Sequence, residues 1–298
     1  MRGGPIALLL CAAVLAACNA AVSVTPGGVI AVAAAENFWG NLAGQLGGTH
    51  VAVTSIVSDP NADPHEHESS AADARAFAAA AYVIFTGAGY DIWAEQLLGA
   101  SPSSARTVLD VAGMLGRHTG DNPHFWYSEQ YVLRVVDRIT ADLSRIDPLD
   151  RAYFAVRNAQ VMTSLLPYRT TIAAIRSRFS GARIGATESI AVYYAQTLGL
   201  DLVSPPAFMD AVAEGNEPPA DSVAVMHDLI TSRSIRVLIY NVQTATAVTT
   251  NLHDLARQSG IAVVGISETM QPPTTSFQQW QLSQLEQLQQ ALAATGVK

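Results

Sequence analysis

The chain has 298 residues, of which 49% are hydrophobic and 14% are charged, and its formal net charge is -8. This composition can fill one large core or two smaller ones, which argues against a mainly disordered chain. The acidic balance excludes nucleic acid as a partner, since nucleic-acid-binding surfaces concentrate lysine and arginine on one face.

Residues 1–17 have the layout of a secretory signal peptide, with Arg2 followed by an apolar run of about a dozen residues that ends in small ones. The run is shorter than the roughly 20 residues of a transmembrane helix. Its end, LAAC at 15–18, resembles a bacterial lipoprotein cleavage box. Cys18 is therefore predicted to be the lipidated first residue of an exported protein, anchored to the outer face of the cytoplasmic membrane. The alternative is an ordinary signal cut near Ala20.

Downstream, apolar β-rich runs alternate with stretches of helical periodicity, which predicts an α/β fold with parallel sheets. In the first half, strands are expected at 29–35, 51–57, 82–86 and 105–111, with helices at 36–46, 69–79, 90–98 and 128–146. In the second half, strands are expected at 182–187, 200–203, 236–241 and 261–267, with helices at 189–198, 220–233, 245–259 and 275–294. We predict two βα lobes, at 18–146 and 181–298.

Residues 147–180 are predicted to form one long linker helix between the lobes. Asp147 and Pro148 suit a helix start, Gly181 suits a helix end, and apolar residues between them step by three or four. Pro167 lies inside the helix and should kink it or divide it in two. The alternative interpretation is two ordinary helices of one continuous domain.

Two histidines follow prolines in similar loops, in Asp63-Pro64-His65 and Asn122-Pro123-His124. Each proline stiffens the backbone before an imidazole, which reduces the entropy lost when a ligand binds. A single histidine near a helix start is more often a surface or capping residue. Two such loops in one lobe, both after predicted strands, favour a binding site, because open α/β sheets bind ligands at that edge.

Two glutamates occupy matching places in the second lobe, where Glu188 follows strand 182–187 and Glu268 follows strand 261–267. Either could simply interact with a helix N-terminus. Together with the two histidines, however, they would neutralise a divalent cation and supply four donor atoms, a mixture suited to zinc, manganese or iron.

The segment DPNADPHEHESSAADARAFAAAAYVIFTGAGYDIW (59–93), followed by NPHFW (122–126), resembles the zinc and manganese group of ABC substrate-binding lipoproteins, the TroA/ZnuA/PsaA type. TESIAVYYAQTLGL (187–200) and VVGISETM (263–270) continue the likeness, which covers essentially the whole mature chain. The resemblance implies two βα lobes joined by one long helix, with one divalent transition metal between them.

Carried over by position, the resemblance implies that His65, His124, Glu188 and Glu268 are the metal ligands. Glu268 stands where most members of the family have aspartate. The long histidine- and aspartate-rich insertion of many zinc-specific members is absent from the sequence. The expected metal is therefore Zn²⁺ or Mn²⁺, with Fe²⁺ as a third option. His118 is an alternative ligand.

The implied function is capture of this metal outside the cytoplasm and its delivery to the permease and ATPase of an ABC importer, by a monomer that is not an enzyme. The sequence lacks the HExxH, G-x-S-x-G and phosphate-loop motifs, so an enzyme would have to be a metal-dependent hydrolase. A surface adhesin is a further alternative, although no separate adhesive module is evident.

Overall fold

The computed structural model describes residues 28–60 and 64–294. The predicted signal peptide and Cys18 lie outside the described residues. No helix in the described part of the chain combines the length and the apolar character that crossing a membrane requires.

The N-terminal lobe is built on a four-stranded parallel sheet with the strand order β2-β1-β3-β4. Its strands are β1 (Ile30–Glu36), β2 (Val51–Val57), β3 (Tyr82–Phe85) and β4 (Thr107–Asp110). Its helices are α1 (Asn37–Gly47), α2 (Ala71–Ala79), α3 (Ile92–Ala100), α4 (Val111–Leu115) and α5 (Glu129–Ile146). Short 3₁₀ turns occupy Gly48–His50, Pro64–Glu66 and Phe125–Tyr127. The central strands β1 and β3 are almost entirely buried, as expected of a parallel sheet covered on both faces.

The C-terminal lobe repeats this layout with a second parallel sheet of order β6-β5-β7-β8. Its strands are β5 (Arg183–Ala186), β6 (Asp201–Leu202), β7 (Val237–Asn241) and β8 (Ala262–Ile266). Its helices are α8 (Ala191–Leu198), α9 (Pro206–Ala213), α10 (Ala220–Thr231), α11 (Ala247–Gln258) and α12 (Phe277–Ala294). The predicted fold class, two βα lobes with parallel sheets, is confirmed.

The eight predicted strands are present, and their ends lie within two residues of the predicted ones. Two helices were not predicted. α4 has only five residues and contains Gly113. α9 begins at Pro206, directly after Pro205. A proline pair is typical of a loop, yet proline also fits the first turn of a helix, where its missing N–H has no partner to lose.

The linker between the lobes runs through a 3₁₀ turn (Pro148–Asp150) and two consecutive helices, α6 (Arg151–Ser164) and α7 (Leu166–Phe179). Leu165 separates the two helices, and Pro167 lies in the first turn of α7. Proline cannot donate to the preceding helical turn, so the division falls where the sequence predicted an interruption.

Aromatic side chains join the cores of the two lobes. Phe38 of α1 packs against Trp126 with ring centroids 4.3 Å apart, and Trp280 of α12 lies 6.3 Å from Phe38 and 6.0 Å from Tyr127. All four rings are buried. This shared apolar interface brings the two lobes into direct contact beside the linker.

Candidate metal centre

The four residues predicted to hold a metal meet between the lobes. One ligand atom from each of His65, His124, Glu188 and Glu268 lies within 4.8 Å of the other three. His124 Nε2 is 3.4 Å from Oε1 of Glu188 and 3.4 Å from Oε1 of Glu268. His65 Nε2 is 3.9 Å from the same oxygen of Glu268. His118, the alternative ligand, is not a member of this group.

His65 lies on the 3₁₀ turn Pro64–Glu66, which follows β2. Its side chain is 21% exposed, which makes it the most accessible of the four candidate ligands. The edge of its ring meets Tyr90 at a centroid distance of 4.6 Å. His65 therefore stands on the solvent side of the centre, carried by a turn and not by a strand or a long helix.

His124 is buried and is oriented by its neighbour Asn122. Asn122 Oδ1 lies 2.9 Å from His124 Nδ1 and also accepts the backbone N–H of His124 at 3.0 Å. This contact assigns the ring proton to Nδ1 and directs Nε2 toward the carboxylates, an arrangement common among histidines that bind metals. The amide of Asn122 also donates to Ser189 O in the other lobe at 2.7 Å.

Glu188 and Glu268 each follow a parallel strand, β5 and β8, by two residues. The carboxyl ends of parallel strands meet at one edge of a sheet, so both side chains reach the same side of the lobe. Both are fully buried. The position of Glu268 shows that its longer side chain still reaches the centre.

Asn241 is a member of the site that the sequence did not indicate. It ends β7, the strand between β5 and β8, and its amide nitrogen donates to Oε2 of Glu188 and, at 2.8 Å, to Oε1 of Glu268. Thr244 Oγ1 also donates to Glu188 Oε2, at 2.9 Å. The sequence signal for Asn241 is its place as a polar residue at the carboxyl end of a parallel strand, where ligands gather.

The Glu188 carboxyl group has a pKa of about 8, raised first by burial and then by the charge of Glu268. His124 and the hydrogen bonds from Asn241 and Thr244 act in the opposite direction. Without a cation, Glu188 therefore binds a proton near neutral pH. A divalent cation at the centre would replace that proton.

Tyr90 reaches across the lobe interface and donates a hydrogen bond from its hydroxyl group to Glu268 Oε2 at 3.0 Å. A tight loop precedes it, in which Gly87, Ala88 and Gly89 all have positive φ angles. Asp91 closes this loop by accepting the backbone N–H groups of Thr86 and Gly87 at 2.6 and 2.8 Å. No sequence motif indicates this role for Tyr90.

A cavity of about 590 Å³ opens from the centre to the surface and is lined by residues of both lobes. His65 and His124 form part of its wall, and Asp121, Asp210 and Glu214 give the wall an acidic character. The pKa of Asp210 is raised, first by partial burial and then by the neighbouring Glu214. The cavity thus connects the two imidazoles to the surface.

The family model described as "Zinc-uptake complex component A periplasmic" matches residues 32–291. Among solved structures, the periplasmic zinc-binding protein TroA from Treponema pallidum superposes with a TM-score of 0.71 at 15% identity, over 90% of this chain and 99% of that chain. A manganese-bound variant of a periplasmic metal-binding protein from candidatus Liberibacter asiaticus gives 0.72 at 14% identity, over 88% of this chain and 98% of that one.

Zinc-bound AdcA from Streptococcus pneumoniae gives a TM-score of 0.69 at 18% identity, over 89% of this chain and 58% of that chain. At such identities the superpositions establish the fold. Among curated proteins, no match was found. The family model, in contrast, spans the chain from β1 to α12, so the resemblance inferred from the sequence is confirmed. The chain belongs to the family of periplasmic zinc-uptake component A proteins.

Proposed function

We propose that this protein captures one divalent transition metal, Zn²⁺ or Mn²⁺, between its lobes and delivers it to an ABC-type importer. The observation that carries the proposal is the convergence of two imidazole nitrogens and two carboxylate oxygens within 4.8 Å of one another. Two carboxylates balance the charge of a dication, and nitrogen together with oxygen donors suits borderline metals. His65, His124, Glu188 and Glu268 are the proposed ligands.

The relatives are consistent with either metal as the cargo. The Treponema pallidum protein is described as zinc-binding, and the candidatus Liberibacter asiaticus protein was solved with manganese bound. Fe²⁺ has the same charge and tolerates the same donors, so it is a third option.

Capture, and not catalysis, is the proposed use of the centre. Catalytic zinc sites keep one coordination position open for water, whereas a site that supplies four protein donors fills a tetrahedral shell. Both glutamates here are fully buried and lie beside the imidazoles. Neither is placed in the cavity wall, where a general base would meet a substrate.

The same proposal covers the rest of the chain. Residues 1–17 direct export, Cys18 carries the lipid that holds the protein at the outer face of the cytoplasmic membrane, and the monomer presents its metal to a permease and its ATPase. Residues 18–146 and 181–298 form the metal-binding lobes, and residues 147–180 connect them. The family description supports a periplasmic location.

The test is zinc affinity of the purified protein, measured by competition with a chelating dye, for His65→Ala and Glu188→Ala. Loss of an outer partner of a metal ligand costs about 10- to 100-fold in affinity, so loss of a ligand itself should cost more than about 100-fold. His227→Ala is the matched control, because His227 is 57% exposed and lies on α10, away from the centre. If both ligand variants bind zinc as the control does, the proposed site is wrong.

A further inference from the structure

A second pair of carboxyl groups lies buried in the N-terminal lobe, apart from the four candidate ligands. Glu36 ends β1, Asp91 immediately precedes α3, and each residue is only 1% exposed. Both groups bind the same residue, because Thr86 donates its hydroxyl group to Glu36 Oε2 at 2.8 Å and its backbone N–H to Asp91 Oδ2 at 2.6 Å. The two carboxyl groups are also hydrogen-bonded to each other. Two negative charges buried side by side repel each other, so the pair retains one proton.

The surrounding donors decide which group holds that proton. Asp91 accepts the backbone N–H groups of Thr86 and Gly87, and it lies at the N-terminus of α3, where a negative charge is favoured. Trp39 Nε1 donates to Thr86 Oγ1 at 2.9 Å, which leaves the hydroxyl hydrogen of Thr86 for Glu36 Oε2. Glu36 Oε1 is buried and meets no N–H or O–H donor among the described residues. A proton on this oxygen, donated to Asp91, satisfies both carboxyl groups.

The pKa shifts of the two groups agree with this direction. The pKa of Glu36 is raised well above its ordinary value, first by burial and then by the charge of Asp91. Burial raises the pKa of Asp91 to about 6, and the hydrogen bond from Glu36 lowers it, as expected when Glu36 is the donor. Around the pair, α1 and the residue after β3 contribute the uncharged Trp39 and Thr86. Every ion pair among the described residues involves other carboxylates, so no arginine or histidine compensates the pair.

We propose that Glu36 is a positioning residue that, as a neutral acid, holds Asp91 in place and thereby fixes loop 87–90 in the wall of the cavity. The loop needs such support because it places three consecutive residues at positive φ, and one of them, Ala88, is not a glycine. The same loop lines the cavity and presents a tyrosine hydroxyl group to Glu268. Its effect on metal capture rests on the proposed function, whereas the shared proton does not.

The position of the proton is tested with amide substitutions, by melting curves of the metal-free protein at pH 7. Glu36→Gln exchanges an acid O–H for an amide N–H and keeps both hydrogen bonds, so it should melt within about 2 °C of wild type. Asp91→Asn turns an amide N–H toward a backbone N–H and should melt about 2–10 °C lower. Glu95→Gln, an exposed change on α3, is the control. If Glu36→Gln loses as much stability as Asp91→Asn, Glu36 is not the neutral member and the proposal is wrong.

The positioning role is tested with Glu36→Leu, which keeps a side chain of similar bulk but removes the proton donor. In the metal-free protein, backbone amides at 86–91 should exchange with solvent several-fold faster than in wild type, whereas Glu36→Gln should match wild type. Amides of β7, in the other lobe, are the internal control for a general loss of stability. Unchanged exchange at 86–91 in Glu36→Leu, or an equal acceleration in β7, would overturn the role given to Glu36.

Zinc affinity connects this loop to the proposed function. Glu36→Leu should lower the affinity about tenfold, in the lower range of effects of outer partners of metal ligands, and Glu36→Gln should not lower it. In a Tyr90→Phe background, Glu36→Leu should cause no further loss, because Glu36 acts through the loop that carries Tyr90. A full tenfold loss in both backgrounds would contradict this route. If the wild-type protein binds no zinc, the proposed function fails, while the melting and exchange experiments still decide the role of Glu36.

Discussion

The proposed role of Glu188 as a metal ligand opposes the stability of the metal-free fold. The group has a pKa of about 8 in the folded chain and 4.5 as the ordinary value for glutamate, with burial as the main cause. A raised pKa stabilises the fold while the group is protonated. Its contribution is fully present below pH 4.5 and is lost as the pH rises through 8.

We therefore expect the metal-free protein to lose stability between pH 5 and pH 8.5, by a few kcal/mol from Glu188, because one pKa unit corresponds to about 1.4 kcal/mol. Glu188→Gln cannot ionise and should melt at a higher temperature than wild type at pH 8, with little difference at pH 5. Melting curves of the two proteins at these pH values check this. Glu286→Gln, an exposed change on α12, serves as the control and should follow wild type. Coincident curves for wild type and Glu188→Gln at pH 8 would contradict the raised pKa.

The same proton links pH to metal binding. A cation must displace the proton of Glu188, and a histidine must be neutral to bind a metal. Zinc affinity should consequently rise from pH 6 to pH 8 and should not level off near the ordinary histidine pKa of about 6.5. Two imidazoles with ordinary pKa values would by themselves place the whole change near pH 6.5.

At the scale of elements, the packing of α1 against β1 and β2 depends on a close approach at Gly40. A Cβ atom at Gly40 would lie 2.1 Å from Ser55 Oγ, 3.2 Å from Ala34 Cβ and 3.3 Å from Val53 Cγ1. One turn later, a Cβ atom at Gly44 would have its nearest neighbour, Val53 Cγ2, at an ordinary 3.8 Å. Close packing therefore requires glycine at position 40 but leaves room for a larger side chain at position 44.

Alanine substitutions at the two positions should act in opposite directions. Gly40→Ala overpacks the interface between α1 and the sheet and should lower the free energy of unfolding by about 1–3 kcal/mol. Gly44→Ala removes the helix penalty of glycine without a clash and should raise it by about 0.5–1 kcal/mol. Urea unfolding of the metal-free protein measures both values, and each variant is the control for the other. Equal stability of the two variants would rule out this account of α1 packing.

At the scale of the whole molecule, hydrogen bonds from several elements cross between the lobes. Besides the hydrogen bonds of Tyr90 and Asn122, the hydroxyl group of Tyr127 lies 2.9 Å from Ser267 O and 2.8 Å from Gln284 Oε1, and either oxygen can accept its proton. Between α1 and α12, the side-chain amides of Gln45 and Gln278 donate hydrogen bonds to each other, at 3.0 and 2.9 Å. These contacts and the shared aromatic interface oppose a wide opening of the lobes.

Zinc binding should therefore leave the radius of gyration unchanged within error when it is measured by small-angle X-ray scattering. Slower amide exchange should appear in the turn that carries His65 and not in the sheets, because a metal held by His65 would restrain this turn. Gln278→Ala removes the amide pair with Gln45 and provides a comparison in which the interface between the lobes is weakened. A clear compaction of the wild-type protein on adding zinc would show that the lobes close as rigid bodies.

The sequence by itself predicted the two parallel sheets, the approximate ends of their strands and the four residues that meet at the candidate metal centre. These features follow from local causes: apolar periodicity, proline-stiffened loops, and polar residues directly after strands. The structure brings His65, His124, Glu188 and Glu268 together where the sequence predicted a site.

Only the tertiary structure decided which atoms face each other. Asn241 lies between the two glutamates because β7 lies between β5 and β8, an order that the chain sequence does not specify. Tyr90 donates a hydrogen bond to Glu268 although the two residues lie 178 positions apart in the sequence. The pKa of Glu188 depends on burial, on Glu268, Asn241 and Thr244 of the same lobe, and on His124 of the other lobe, and this environment is complete only once both lobes have folded against each other.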